Sequence, residues 1–408
     1  MKKYLALSLS IIVFTGCASN FVTAAKIYES RSEYASAIEM CQKELSVRPN
    51  NVDAYLIMGR CNVALGKFLE ASDNIDAAYG LNAAKADVQV QGPDRGNYYT
   101  VFKTAAVELV EKDKLEAALK KTDRAILLDP ERGEPYVIRG LIYSRLKETA
   151  KMQESFAKAL RLDPSSPEPY LYIGHKFYDE TKWDSALFYY DKTIDLFVKK
   201  RDNALKTIMA KTPALKPDEV RAKLVALQVE GKAAELDDYV KKVLLREGGT
   251  REVSRQIESI VNAHINLIRA YFNAAACAYN LAKLDQAAAH FENLLKIDPG
   301  NRDGAYYYGQ TLVATLQFVK AIEVFSKLVA TDPKDKESLF TLGYAYLKTN
   351  NYDKAIETLE EKYLALDTEN ASVYVNIGLA YKGKGNLKKT YEYIKKAEEM
   401  EKRKGLKK

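Results

Sequence analysis

Two pairs of Asp-Pro steps, separated by the same interval, constrain this chain more than any other feature of its sequence. Asp129-Pro130 and Asp163-Pro164 are 34 residues apart, and so are Asp298-Pro299 and Asp332-Pro333. This interval is typical of a helix pair that recurs along a chain. Proline ends the second helix of each pair, because it lacks a backbone N–H and disfavours helix at the preceding residue. The sequence therefore predicts a stack of similar helical units rather than one globular core.

The interval extends in both directions and divides the chain into nine repeats. They span residues 18–51, 52–85, 99–132, 133–166, 167–200, 268–301, 302–335, 336–370 and 371–404. The eighth position of every repeat is small: Ala25, Gly59, Ala106, Gly140, Gly174, Ala275, Gly309, Gly343 and Gly378. The twentieth position is mostly alanine, at Ala37, Ala71, Ala118, Ala186, Ala287, Ala321 and Ala355, with Met152 and Thr390 as exceptions. We expect these small residues to face each other where the two helices of a repeat cross.

Bulky rings recur at two further positions of the repeat. The fourth position holds Phe21, Tyr55, Phe102, Tyr136, Tyr170, Tyr271 and Tyr374, and the eleventh holds Tyr28, Tyr143, Phe177, Tyr346 and Tyr381. Such rings wedge between helices, which explains much of the excess of tyrosine, with 28 copies against 13 of phenylalanine. Together these positions resemble the tetratricopeptide repeat (TPR) over most of the chain. The resemblance implies an all-α fold, a right-handed superhelical solenoid of antiparallel helix pairs in which each repeat covers its neighbours.

Two segments break the period. Residues 86–98 contain Gly92-Pro93-Asp94, which predicts a linker loop between repeats 1–2 (18–85) and repeats 3–5 (99–200). Residues 201–267 have a helical composition but lack the small positions, and they predict a non-consensus helical insertion before repeats 6–9 (268–404). We expect the second helix of repeat five to continue towards Thr212-Pro213, and a long helix to begin near Thr250. The insertion is either two more helix pairs of the stack or a protruding helical hairpin that docks a partner or a second copy.

Residues 1–16 predict a signal peptide, because two lysines precede an apolar run that is too short to span a bilayer. Phe14-Thr15-Gly16-Cys17 resembles the lipobox of bacterial lipoproteins. The resemblance implies cleavage before Cys17 and its lipidation, and two or three acyl chains give stable membrane attachment. Ala18 stands where aspartate retains many lipoproteins at the inner membrane. We therefore expect an outer-membrane lipoprotein that faces the periplasm if the cell has two membranes, and otherwise an exported, membrane-tethered protein. The alternative is an ordinary cleaved signal and a soluble exported protein.

Export would place the remaining cysteines in an oxidising compartment, where disulfides are permitted. Cys41 and Cys61 fall on helices that we expect to pack together. They form either a disulfide or two ordinary buried thiols. Cys277 has no evident partner.

The sequence lacks the motifs of known catalytic sites: a phosphate-binding glycine loop, a Gly-x-Ser-x-Gly elbow, a His-Glu-x-x-His pair and a Cys-x-x-Cys pair. His175, His264 and His290 are far apart, which argues against a shared metal. The net charge of +7 is spread along the chain, apart from the basic residues 402–408, and does not suggest nucleic-acid binding. We expect no enzyme, no cofactor and no nucleic-acid partner, and we expect residues 405–408 to form a solvated basic tail.

In the TPR family the first helix of each repeat lines a concave surface. Carried over position by position, this implies a groove of Val137, Leu141, Leu171, His175, Tyr178, Phe272, Tyr279, Asn280, Tyr306, Gln310, Val313, Phe340, Tyr344, Leu347, Val375 and Leu379. The face is aromatic and lacks the Lys and Asn pairs by which some relatives hold a terminal carboxylate. Its expected ligand is a peptide or helix of a protein partner, anchored by the rings. Alternatively, adjacent repeats or the insertion cover part of these rings, which then serve only as core.

The resemblance implies a membrane-anchored scaffold or adaptor that binds a protein partner in the cell envelope, in the assembly of an envelope complex. The alternative is a structural solenoid that self-associates through the insertion and has no peptide ligand. A cell-wall-acting enzyme is a more remote reading, since it needs convergent polar groups that the sequence does not suggest.

Overall fold

The computed structural model describes residues 20–90, 92, 95–211 and 251–405, together with residues 216, 219, 220, 223 and 226. Within these residues every regular element is a helix, so the all-α prediction is confirmed. The chain divides into two compact bodies, Met1–Pro169 and Tyr170–Lys408, which are treated separately below. The signal peptide and Cys17 lie outside the described residues, as do residues 406–408 of the basic tail.

Consecutive helices form antiparallel pairs joined by short turns. Up to the boundary between the bodies, the helices are α1 (Asn20–Ser30), α2 (Tyr34–Val47), α3 (Val52–Ala64), α4 (Phe68–Leu81), α5 (Ala83–Val90), α6 (Arg95–Glu111), α7 (Leu115–Leu128), α8 (Glu134–Arg145) and α9 (Thr149–Leu162). From the boundary onward they are α10 (Pro167–Asp179), α11 (Trp183–Lys211), α12 (Arg251–Asn280), α13 (Leu284–Ile297), α14 (Arg302–Ala314), α15 (Phe318–Thr331), α16 (Lys336–Lys348), α17 (Tyr352–Ile356), α18 (Ala371–Gly383) and α19 (Leu387–Gly405). None of these helices is both long and apolar enough to cross a bilayer.

The turns between paired helices share one backbone feature. Position 15 of every repeat has a φ between 55° and 78°: Ser32, Gly66, Asp113, Lys147, Thr181, Ala282, Leu316, Asn350 and Gly385. The N–H of the following residue donates to the carbonyl of position 11, as Glu33 does to Tyr28 at 2.9 Å. This pattern ends a helix through a left-handed residue. The turns thus follow the nine-repeat register, although only two of the nine residues are glycine.

The helix crossing differs from the sequence expectation. A Cβ on Gly140 would lie 2.4 Å from the ring of Phe156, and one on Gly343 would lie 2.4 Å from Leu359 Cγ. The glycine at position 8 therefore faces the bulky residue at position 24, and the expectation that it faces the small residue at position 20 was wrong. The buried alanine at position 20 lets the backbones approach, while the glycine leaves room for the large side chain one turn later. Where position 8 is alanine, position 24 is smaller in two repeats, as Cys41 and Thr122.

The predicted linker loop at 86–98 was wrong for most of its length. Residues up to Val90 belong to α5, and α6 begins at Arg95. Ala86 and Val90 lie one turn apart and are fully buried, Ala86 among Val52 and Leu56. Burial of this apolar stripe stabilises a helix where the turn residues alone suggested a loop.

The described part of the insertion consists of lengthened helices. The second helix of repeat five, α11, continues to Lys211, and the first helix of repeat six, α12, begins at Arg251. Beyond the repeats the two helices share a core of Ala204, Leu205, Ile208, Val253, Ile257 and Ile260, with Val220 from the segment between them. In the described residues the insertion therefore contains two lengthened helices that pack on each other. Most of the segment between them, including residues 227–250, lies outside the described residues, so both alternatives stay predictions.

Repeat eight has one residue more than the period, and its second helix absorbs that residue. After α17 the chain continues as a π-turn, Glu357–Tyr363. Leu359, before the extra residue, still faces Gly343, and Tyr363, after it, is buried like its counterparts Leu294 and Leu328. The surplus is confined to the helix between these two residues, as in other π-bulges.

The three described cysteines are free and fully buried. Cys41 and Cys61 belong to one apolar cluster with Ala37 and Ile57. Burial raises the pKa of the Cys41 thiol to about 12 and that of Cys61 to about 11. Of the two alternatives, the structure has buried thiols rather than a disulfide.

Candidate functional site

A groove of about 620 Å³ lies on the first helices of repeats seven, eight and nine, α14, α16 and α18. Six residues of the sequence-derived groove line it: Tyr306, Gln310, Val313, Phe340, Tyr344 and Val375. The remaining lining residues are Lys336, Glu337, Thr341, Tyr363, Asp367, Asn370, Ser372 and Asn376. The groove lies entirely within the second body.

The floor of the groove is aromatic, and packing holds its rings in place. Tyr306 meets Phe325 edge-on with ring centroids 5.9 Å apart. Phe340 meets the ring of Tyr363 at 6.2 Å. Edge-to-face pairs at these distances are favourable. The exposed faces of these half-buried rings therefore form a rigid apolar surface that needs little ordering when a ligand binds.

Polar groups are set among these rings. The Nε2 of Gln310 donates to Tyr306 Oη at 3.3 Å and to Thr341 Oγ1 at 3.1 Å. Asn376 is only 8% exposed as a residue, and it lines the groove. Its carboxamide can offer both a donor and an acceptor to a ligand.

The charged rim contains one ion pair and one exposed carboxylate. Lys336 Nζ lies 2.9 Å from Asp367 Oδ2, and this hydrogen bond raises the pKa of Lys336. Glu337 beside it is exposed. On the floor, burial raises the pKa of Tyr306, so its hydroxyl stays protonated at physiological pH. These three rim charges sum to −1, which does not favour an anionic ligand.

Sequence reasoning missed the residues that close the groove from repeat eight. Tyr363 is the last residue of the π-turn, and its hydroxyl accepts a hydrogen bond from Asn370 Nδ2 at 3.1 Å. Asn370 also caps α18, since its side-chain oxygen accepts from the N–H of Ser372. The available signals were the extra residue of repeat eight and an asparagine just before a helix. Asn376 carried no signal beyond its place on a first helix.

The predicted groove residues outside this site fall into two groups. Leu171 is 2% exposed in the core with Leu187 and Tyr190, so it is not available to a ligand. Its placement in the groove was wrong because the second helix of its own repeat covers it. Val137, on α8 of the first body, is likewise buried.

The others remain at least partly exposed but do not line this groove. His175 is half-buried with its Nδ1 2.7 Å from Tyr190 Oη, and burial lowers the pKa of the imidazole. Tyr178 packs edge-on against Trp183 at 5.1 Å, and Phe272 against Phe291 at 5.9 Å. Leu141 and Leu347 are half-buried, and Tyr279, Asn280 and Leu379 are exposed.

No arrangement of three or more His, Cys, Asp or Glu side chains suited to a metal ion occurs in the part of the chain that the structure describes. Within the same residues, His264 is buried on α12 and His290 faces Asp191 from α13. The geometry of the groove suits recognition of a chain segment by apolar contact and hydrogen bonds.

Two family models match parts of the chain. The model of the family described as tetratricopeptide repeat matches residues 133–166 and 371–404, which are the bounds derived above for repeats four and nine. The chain contains tetratricopeptide repeats. The model described as anaphase-promoting complex, cyclosome, subunit 3 matches residues 284–362 and 315–375, which include most of the groove.

The chain is partly similar to several solved structures. YrrB, a TPR protein with an unusual peptide-binding site, is 19% identical, with a TM-score of 0.39 over 60% of this chain and 91% of YrrB. MamA from Desulfovibrio magneticus RS-1 is 25% identical, with a TM-score of 0.33 over 41% of this chain and 95% of the MamA chain.

Proposed function

We propose that this TPR protein is a membrane-tethered adaptor whose groove on repeats seven to nine binds a peptide segment of a protein partner. The carrying observation is a groove in which aromatic rings and the carboxamide of Asn376 lie side by side. A primary amide both donates and accepts hydrogen bonds, which matches the N–H and C=O of a peptide backbone. A peptide segment in this groove could therefore pair its backbone with Asn376 while its side chains cover the rings.

The rings supply the apolar part of recognition. Phe340 and Tyr344 each turn a half-buried ring towards the groove, and Val375 on the next helix is more exposed. Side chains of a bound segment would cover these surfaces, since a few aromatic anchors typically carry most of the binding free energy. The size of the groove falls in the range of sites that enclose a few side chains.

Selection of peptides on the full-length chain from a random displayed library tests this proposal. Asn376→Ala and Val375→Lys should each weaken the selected peptides about tenfold or more, because one removes the amide and the other places a charge on the apolar wall. Val319→Lys is the matched control, since Val319 is exposed on the second helix α15 and does not line the groove. Peptides that bind all three variants as well as the parent would show that the groove is not their site.

The tether follows from the lipobox-like Phe14-Thr15-Gly16-Cys17. Lipid on Cys17 would hold the repeats at a membrane surface, in the outer membrane if the cell has two, where they could gather partners of an envelope complex. Mass spectrometry of the N-terminal peptide should find an acylated Cys17, and Cys17→Ser should release the protein from the membrane fraction. An unmodified N-terminus at Cys17 or beyond would leave a soluble exported adaptor.

Self-association is the second candidate, and the hairpin of α11 and α12 favours it. This hairpin lengthens two helices beyond their repeats and gives them a shared core. A partner copy could extend that core. Mass measurement on delipidated protein decides between the two candidates, because a strict monomer at high concentration excludes association through the hairpin.

A further inference from the structure

At three interfaces between neighbouring repeats, a polar contact joins the second helices at the same place. Position 25 of one repeat meets position 23 of the next in three pairs: Asp76 with Lys121 (Oδ2 to Nζ, 2.7 Å), Asp191 with His290 (Oδ1 to Nε2, 3.1 Å) and Glu360 with Tyr393 (Oε1 to Oη, 2.6 Å). These side chains occupy the space between the two second helices.

The interface between repeats seven and eight has short residues at these two positions. They are Ser326 and Thr358, and a cavity of about 570 Å³ lies between them. Thr358 is 4% exposed as a residue, and both residues line the cavity. The cavity therefore offers two hydroxyl-bearing residues to a ligand at the place where the three interfaces above have a polar pair.

The remaining walls combine an apolar surface with one uncompensated positive charge. The apolar residues are Val329, Ala330, Pro333, Leu342 and Tyr346. Lys362 is paired with Glu357, whose carboxylate lies 2.8 Å from the Lys362 ammonium. Lys354 has no carboxylate within ion-pair distance in the described part of the chain, and its ammonium lies 5.5 Å from the ring centre of Tyr346. The lining thus carries a net charge of +1, next to hydroxyls and aliphatic side chains.

The cavity also lies against the π-turn of repeat eight. Glu357, Thr358 and Lys362 all belong to it. A π-turn is less stable than the α-helix it interrupts, and such turns are frequent at functional sites. None of the residues around the cavity lines the peptide groove, so this is a separate site.

We propose that this cavity binds a small aliphatic monocarboxylate. Its carboxylate would pair with Lys354 and accept hydrogen bonds from Ser326 and Thr358, which are strong when the acceptor is charged. Its alkyl chain would cover Val329 and Leu342, which both line the cavity. One negative charge matches the single uncompensated lysine, whereas a dianion would leave a charge unpaired and a neutral alcohol would leave Lys354 without a partner.

Titration of the full-length chain with hexanoate tests the proposal by calorimetry and by the shift of the thermal midpoint. Hexanoate should bind saturably at one site, while hexanol and N-acetyl-glutamate amide should bind about tenfold more weakly or not at all. Hexanol keeps the alkyl chain without the charge, and the capped glutamate keeps the carboxylate on a polar body. Equal binding of the capped glutamate would overturn the free acid as ligand and point to an acidic side chain of a partner protein.

Variants then locate the site. Ser326→Asp combined with Thr358→Lys installs the pair found as Asp76 and Lys121, so it should abolish hexanoate binding without lowering the thermal midpoint. Lys354→Gln should weaken hexanoate about tenfold and leave hexanol unchanged. Lys327→Gln is the matched control, because Lys327 is exposed on α15 and does not line the cavity.

The proposals for the peptide groove and for the cavity can be refuted independently of each other. Val375→Lys should retain hexanoate binding, since it alters only the groove. Failure of the parent to bind hexanoate, or equal binding by the parent and Lys354→Gln, would overturn the proposal. Should the double variant fail to fold, Thr358→Val together with Lys354→Gln gives the same decision.

Discussion

Replacing Gly140 with alanine should destabilise repeat four, although alanine is the better helix former. In a helix interior the exchange gains about 1 kcal/mol of intrinsic propensity. Here the new Cβ would lie 2.4 Å from Phe156 Cε1, 2.5 Å from Cδ1 and 2.8 Å from Cζ. Carbon atoms normally rest about 3.5–4.0 Å apart, so the ring would have to retreat by about 1 Å.

Phe156 has little room to retreat, because it is fully buried. Overpacking of this kind costs about 1–3 kcal/mol, and a fully enclosed ring belongs at the upper end. After subtraction of the propensity gain, the expected net loss is about 1–2 kcal/mol. Phe156→Leu in the same chain should relieve the clash, so that the double variant is more stable than the sum of the single changes by about 1 kcal/mol.

Urea unfolding, together with hydrogen exchange of the amides in residues 134–162, measures this loss where it occurs. Gly80→Ala is the matched control, since a Cβ added to Gly80 in α4 would have nothing within 4 Å, and this change should gain stability. Two results would contradict this reasoning: Gly140→Ala stabilises the protein as much as Gly80→Ala does, or the effects of Gly140→Ala and Phe156→Leu on stability simply add. Either result would mean that packing against position 24 is not the reason for glycine at position 8.

Three further predictions concern the turns, a histidine and the thiols. Leu316→Gly should stabilise repeat seven by about 1 kcal/mol, because Leu316 has a φ of 60°, which favours glycine. Gly66→Ala should destabilise repeat two by about the same amount, because Gly66 also has a positive φ. Thermal unfolding in which both variants have a lower midpoint than the parent would contradict this. Burial lowers the pKa of His264, so as the pH falls below about 6.5 the unfolded chain binds the proton first and the stability of the fold should decline. His264→Leu should flatten this decline, and an unaltered slope would exclude His264 as its source. Burial raises the pKa of the Cys41 and Cys61 thiols, so iodoacetamide at neutral pH should not modify them in the folded protein. In urea it should modify both. If both cysteines stayed unmodified in urea without reductant, they would form a disulfide.

The sequence was sufficient for the repeat register because that register depends on local chemistry. Helix ends, small positions and apolar spacing recur in each repeat, so errors in one repeat are corrected by the others. The partner of Gly140 was harder to predict, since position 20 and position 24 lie one turn apart and either could face position 8. Only the crossing geometry shows that Phe156, rather than the small position-20 residue, occupies the space.

The groove could be predicted only in part. Tyr306, Phe340 and Tyr344 follow from their place on first helices. Asn376 could not be singled out, because spacing does not show which polar residue of a first helix lies beside the aromatic rings. Leu171 is an error in the other direction. Its spacing predicted a groove residue, but a neighbouring helix covers it.

The surplus residue of repeat eight also indicates where this architecture can be lengthened. A residue added between positions 24 and 27 of a second helix is taken up as a wider turn, and Tyr363 and Asn370 beyond it keep their hydrogen bond. An addition at position 15 would instead rotate the whole second helix and turn its apolar stripe away from the stack. Engineers who wish to introduce a label or a charged group therefore have a place to try in the second helix of a repeat, next to the space between second helices.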